Sequence, residues 1–134
     1  MKRFFIAAML LLAFTFANAQ VQTYRTTSYA YKTYSYTYRT WSDWSDWIKC
    51  EVIVTLNLNT DVITIYSNKT QIYKVYAYTD PYYDDGGGVQ IKFSVIDQDG
   101  DRGTVRLRIQ NDGNSQLYVD FADIMWVYNV YRIN

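Results

Sequence analysis

From Ile48 onward the chain alternates apolar and polar positions with a period of two. Ile48, Cys50, Val52, Val54, Leu56 and Leu58 share one phase, and Lys49, Glu51, Ile53, Thr55 and Asn57 share the other. That period, with β-branched residues throughout, predicts strand rather than helix. The pattern returns over Val62–Ser67, Gln71–Thr79, Val89–Val95, Thr104–Ile109, Leu117–Phe121 and Ile124–Ile133. Turn-forming stretches separate the runs: Asn59-Thr60-Asp61, Ser67–Thr70, the long Asp80–Gly88 loop, Asp97–Gly103, Asn111-Asp112-Gly113-Asn114 and Ala122-Asp123. Short turns join antiparallel neighbours. The expected fold is all-β, a single-domain antiparallel meander of seven or eight strands, closed as a small up-and-down barrel or split into a two-sheet sandwich.

The eighth strand is sought in Tyr24–Tyr38, a stretch of Tyr, Ser, Thr, Arg and Lys whose one aliphatic residue is Ala30. Tyr29 and Tyr31 share one phase, and Tyr34, Tyr36 and Tyr38 share the other. The change of phase predicts a bulge or break at Lys32-Thr33. Tyr and Thr favour strands, so a strand is preferred here to a disordered exported terminus.

The chain divides into residues 1–19, residues 20–47 and residues 48–134. Met1-Lys2-Arg3, the apolar run Phe4–Phe16 and Ala17-Asn18-Ala19 read as a Sec-type signal peptide cleaved before Gln20. The protein is then exported, to the periplasm or the extracellular space. Removing 19 of 134 residues leaves 115, enough for a self-sufficient core. Loss of Lys2 and Arg3 takes 13 basic residues to 11 against 13 acidic ones, a net charge of −2. No later apolar run reaches transmembrane-helix length. A membrane barrel is disfavoured, because Lys49, Glu51, Lys92, Arg106 and Arg108 would face outward.

Composition narrows the chemistry. With no His and one Cys, the chain has no Ser-His-Asp triad, no Cys-His pair and no Cys-based metal cluster. No enzymatic activity is expected. The near-balanced charge argues against nucleic acid as a partner.

Four features could carry binding. Trp41-Ser42-Asp43-Trp44-Ser45-Asp46-Trp47 repeats every three residues. In a regular strand that spacing sends successive indoles to alternate faces, so all three cannot enter one core. One reading is a stacking platform for sugar rings, with Trp41, Trp44 and Trp47 beside the carboxylates Asp43 and Asp46. The reading preferred is a hydrophobic plug over one barrel end, since large aromatics are mostly buried. The spacing resembles that of thrombospondin type 1 repeats, but those depend on paired cysteines, so the resemblance is set aside. Asp97, Asp99 and Asp101 alternate as in a calcium loop, but the loop lacks an EF-hand's closing Glu and helices, and an ordinary turn is the reading preferred. No other cofactor is expected. Asp80–Gly88 reads as a mobile loop; a solvated linker is the reading preferred, while the fact that mobile loops can carry binding nominates Tyr82 and Tyr83. Cys50 shares its phase with Val52 and Val54 and reads as an inert buried thiol.

In a meander, connections alternate between the two ends. The Trp repeat, Ser67–Thr70, Asp97–Gly103 and Asp123 should then share one end, with the Trp repeat beside the Asp97–Asp101 cluster. The function expected is an exported, non-catalytic β-domain that binds a carbohydrate or other envelope component through an aromatic surface. The alternatives are a structural or adhesive envelope protein, pairing through a Tyr-rich edge strand, and a small periplasmic inhibitor.

Overall fold

The computed structural model describes residues 21–112 and 114–134. The expected signal peptide and Gly113 of the Asn111–Asn114 turn lie outside the described residues. There is no helix among those described. The extended segments are β1 (Val21–Ser35), β2 (Thr40–Trp41), β3 (Ile48–Lys49), β4 (Ile53–Asn57), β5 (Val62–Ile65), β6 (Gln71–Tyr78), β7 (Tyr82–Tyr83), β8 (Val89–Ile96), β9 (Arg102–Ile109), β10 (Ser115–Asp120) and β11 (Ile124–Arg132).

Eight of them close an antiparallel barrel in the order β1-β4-β5-β6-β8-β9-β10-β11, with β11 returning to β1. The barrel, not the sandwich, is formed. Closure depends on β1, whose 15 residues bond on both sides. One side pairs with β11 from Tyr24↔Arg132 to Thr33↔Ile124. The other takes β4 (Val21↔Asn57 to Arg25↔Ile53), then β3, then β2.

The bulge in β1 lies between Thr26 and Ser28, not at Lys32-Thr33. Tyr31↔Trp126, Lys32↔Met125 and Thr33↔Ile124 run on without a shift. Tyrosines occupy both faces of the strand, so their phase marks neither face. The bulge also breaks the run expected over Ile48–Leu58 into β3 and β4. Thr26, only 1% exposed, stitches that break. Its N–H donates to the Val52 carbonyl at 3.0 Å, and its Oγ1 accepts the Val52 N–H at 2.9 Å.

The inward positions form one apolar core. Val54, Leu56, Ile65, Val95, Val105 and Val119 are each at most 1% exposed, and Phe93 and Leu107 pack with them. Full burial of each such side chain contributes about 1.5–3 kcal/mol. Outward positions carry Lys74, Lys92, Arg106 and Asp120 alongside exposed apolar residues such as Ile72, Tyr76 and Tyr78. A buried phenol closes the core at one margin. Tyr24 donates to Gln22 Oε1 at 2.6 Å, and burial pushes its pKa up to about 12, partly offset by Arg132.

The Asp80–Gly88 loop is more ordered than its composition suggests. β7 pairs with β8, and Asp84 gathers the glycine run around its carboxylate. Asp84 Oδ1 accepts from Gly86 N at 3.0 Å and Gly88 N at 2.9 Å, while Oδ2 meets Arg108 Nε at 2.6 Å and Gln90 Nε2 at 2.9 Å. Gly87 turns the chain at φ 82°, a left-handed value that favours glycine. A Cβ at Gly88 would stand 3.0 Å from Asp84 Oδ2 and 3.1 Å from Arg108 Nε, so the latch leaves little room for a side chain.

Thr26→Val should destabilise the protein by about 1–3 kcal/mol in urea unfolding, because it leaves the Val52 N–H buried and unpaired. Thr26→Ser keeps the hydroxyl and should recover most of that loss. Equal effects of the two substitutions would contradict the stitch.

Candidate functional site

The Trp repeat lies along β1, and its serines set its register. Ser42 N donates to the Thr33 carbonyl at 2.8 Å, and Ser42 Oγ accepts the Thr33 N–H at 3.0 Å. One repeat later, Ser45 N donates to the Tyr31 carbonyl at 2.8 Å, and Ser45 Oγ accepts the Tyr31 N–H at 3.0 Å. Ile48 then faces Tyr29 in β3. Three residues of the repeat therefore advance against two of β1. A serine hydroxyl replaces the backbone carbonyl that a regular strand would offer. Each hydroxyl in turn donates to the carbonyl of the following aspartate at 3.0 Å.

That register overrides the alternation expected from a spacing of three. The Lys32 ammonium sits 5.5 Å from the Trp41 ring centre and 4.8 Å from that of Trp44, so both indoles flank one outward residue. Trp41 meets Tyr34 edge-on at 5.4 Å, and Trp44 meets Tyr118 of β10 edge-on at 6.5 Å. Ala30, Val127 and Tyr118 form one row across the barrel wall. Ala30 and Val127 point outward yet are buried, in the row that ends at the ring Trp44 meets. Trp47 lies farther along the same wall, beside Gln116 and Asn129, where Asn129 Nδ2 donates to Ser28 Oγ at 2.9 Å. Trp44 is 40% and Trp47 52% exposed, and Asp43 and Asp46 are exposed beside them. The three indoles thus lie on the outer wall rather than over the barrel end.

The other nominated residues stand elsewhere. Tyr82 and Tyr83 belong to the opposite end of the barrel, where the Tyr82 hydroxyl donates to Gln90 Oε1 at 3.3 Å. Asp97 caps its own turn: its Oδ1 accepts from Asp99 N at 2.9 Å and Asp101 N at 2.8 Å, and Gly100 supplies φ 87°. No group of three or more metal-ligating side chains gathers among the described residues. The Asp97–Asp101 turn shares an end only with the start of the Trp repeat, which then runs along the wall until Trp47 lies near Asn114 of the opposite end. It joins β8 to β9, however, and β8 lies across the ring from β1. The two features do not meet.

Sequence reasoning missed the mouth of the barrel at the Asp97–Asp101 end. There the core stops short and leaves a cleft of about 600 Å³. Tyr29 and Tyr31 of β1 and Trp126 and Tyr128 of β11 form its aromatic wall, facing Glu51 and the Ser67–Lys69 turn. A second cleft of about 330 Å³ continues past Trp126 and Lys69 to Asp97 and Asp99. Tyr29 and Tyr128 lie 6.1 Å apart with their planes at 43°, a corner rather than a flat stack. Gln71 fixes the phenols behind it: Tyr73 donates to its Oε1 at 2.5 Å, and its Nε2 reaches Ser67 Oγ at 3.1 Å and the Tyr128 oxygen at 3.4 Å. Burial raises the pKa values of Tyr73 and Tyr128 above the usual phenol value; for Tyr128 the Gln71 contact opposes part of the rise. Trp126 Nε1 is shut off from solvent, and its N–H interacts with the Tyr128 phenol and opposes part of that group's pKa rise, so the cleft meets the indole ring rather than its N–H. Tyr29 and Tyr31 shared a visible phase, as did Trp126 and Tyr128, but only closure brings the two pairs together.

No family model, curated protein or solved structure matches the chain.

Two pH dependences follow. The hydrogen bond from Arg108, helped by Gln90, holds the Asp84 carboxyl well below the usual carboxylate range. Its contribution is complete above the unfolded-state pKa of about 3.9 and is lost as pH falls toward the folded value. Asp84→Asn should therefore flatten the decline of stability below pH ~4 in acid unfolding curves. A slope identical to the parent's would remove Asp84 from the acid-labile groups. Tyr24, Tyr73 and Tyr128 have raised pKa values, so their contribution is complete below the unfolded phenol value of about 10 and fades above it. Phenolate absorbance should show Tyr24, Tyr73 and Tyr128 ionising only as the barrel unfolds. A single smooth titration with the fold intact would contradict it.

Proposed function

We propose that this protein is an exported, non-catalytic barrel that binds a glycan of the cell envelope along the Trp41–Trp44–Trp47 row. The observation that carries this reading is the repeated serine register. Two successive Trp-Ser-Asp units make the same pair of hydrogen bonds to β1, and this sets three indoles along one wall. Because each unit advances by two residues of β1, the row has a repeat of about 6.6–6.8 Å. An extended polymer with flat apolar faces can stack along such a row, and Asp43 and Asp46 stand where they can accept hydroxyl hydrogen bonds. Exposed Trp offers large contact area with few rotatable bonds, which keeps the entropy cost of binding low.

A catalytic reading has less support. Asp84 and Asp120 are tied to Arg108 and Arg106 at 2.6 Å, and Asp97 caps a turn. Adhesion through a Tyr-rich edge strand lacks its premise, because β1 is paired along both sides.

A glycan array followed by affinity electrophoresis on envelope polysaccharides tests the proposal. Trp44→Ala should weaken retention about tenfold, equivalent to ~1.4 kcal/mol. Ser42→Ala with Ser45→Ala keeps every indole but removes the register, and should weaken retention in the same direction. Absence of any retained glycan, or retention indifferent to Trp44→Ala, refutes the reading.

A further inference from the structure

The mouth cleft is separate from the Trp row and uses the opposite face of β1. We propose that it is a second binding site, for a small organic ammonium ion of the quaternary or methylated amine class. Three observations converge on that chemistry.

The wall that the adjacent strands β1 and β11 give the cleft is aromatic. Tyr29, Tyr31, Trp126 and Tyr128 line the larger cleft, and the Tyr29–Tyr128 corner opens at 43°. Angled rings on one wall fit the side of a rounded cation, with Glu51 opposite, whereas a planar ligand is better served by parallel faces. The second observation is what those rings present. Trp126 turns its N–H away from solvent, so it offers the cleft a π-surface and no hydrogen-bond donor. A ligand rich in acceptors gains little there, and a cation gains the ring quadrupole. Third, the charged rim is acidic. Glu51, the chain's single Glu, lines the larger cleft, and Asp97 and Asp99 line its continuation, against one cation, Lys69, on the turn between them. The surplus of negative charge attracts an ammonium ion and disfavours a carboxylate or phosphate.

The walls are also held before any ligand arrives. Gln71 links Tyr73, Tyr128 and Ser67, and Tyr31 is pinned through its backbone by Ser45. Rings fixed in place lose little freedom on binding.

The experiment uses the chain from residue 20 onward, with choline as probe and 3,3-dimethyl-1-butanol as its neutral carbon isostere. Both are titrated by NMR and by tryptophan fluorescence. Choline should bind in the millimolar range or tighter, at least about tenfold more strongly than the isostere. Tyr31→Leu should weaken choline about tenfold while Tyr31→Phe retains it, since the ring and not the hydroxyl is at work. Glu51→Gln should weaken choline severalfold and leave the isostere unchanged. Should Tyr31→Leu fail to fold, Trp126→Phe against Trp126→Leu makes the same comparison on the neighbouring strand. Equal binding of choline and isostere would show an apolar slot and overturn the proposal. So would no choline binding at about 50 mM, or binding insensitive to the loss of either ring.

Discussion

The antiparallel pairing of β1 with β11 is the interaction on which the rest of this structure depends. Without it the meander would be an open sheet with two exposed edges and an apolar face too curved to cover itself. With it, the inward positions of eight strands meet in one core, and Val54, Leu56, Val95, Val105 and Val119 lose nearly all contact with water. The strand that closes the ring carries one aliphatic residue between Tyr24 and Tyr38. It succeeds because its length lets it be paired along both sides, and because Gln22, Tyr24 and Thr26 are buried with their polar atoms bonded. Backbone bonding and satisfied polar groups replace the aliphatic burial that holds the other strands.

Both candidate surfaces derive from that strand. Its outward residues Ala30, Lys32 and Tyr34 lie under and between the indoles of the Trp row, and its inward residues Tyr29 and Tyr31 line the mouth. Tyr31 belongs to both: its backbone N–H meets Ser45 of the repeat, and its ring lines the cleft. The core thins at the mouth because the wall there is built of rings with polar ends, which need a hydrogen-bond partner or water at one edge. The Tyr73–Gln71–Tyr128 linkage supplies the partner on one side and leaves the other open.

Much of the fold was legible in the order of residues, for identifiable reasons. Period-two alternation from Val62 to Ile133 located six long strands, because each has one face in an apolar core and one in contact with polar surroundings. The N-terminal strand was legible in kind but not in phase. Tyrosine serves on either face, so the change of Tyr phase at Lys32-Thr33 carried no register, and the bulge sits instead at Thr26/Ser28. The Asp80–Gly88 loop looked mobile from composition because the carboxylate that orders it draws on Arg108, two strands later. The Trp repeat was conspicuous in sequence, yet its geometry was misjudged. The rule of alternating faces assumes one residue per ladder step, and the serine hydroxyls break that assumption twice.

By itself, the sequence determined the all-β class, the antiparallel meander, the alternation of its turns between two ends and the absence of imidazole chemistry. These follow from local periodicity, turn residues and composition, each readable within a few positions. Only the tertiary structure decided that the sheet closes, that β1 has no free edge, that three indoles share one wall, and that Tyr29 and Tyr31 stand beside Trp126 and Tyr128 in the wall of a cleft. Closure and the cleft rest on β1–β11 pairings about a hundred positions apart, and the indole row on serine bonds to β1 only 9 and 14 positions away, in each case a register that no simple alternation encodes.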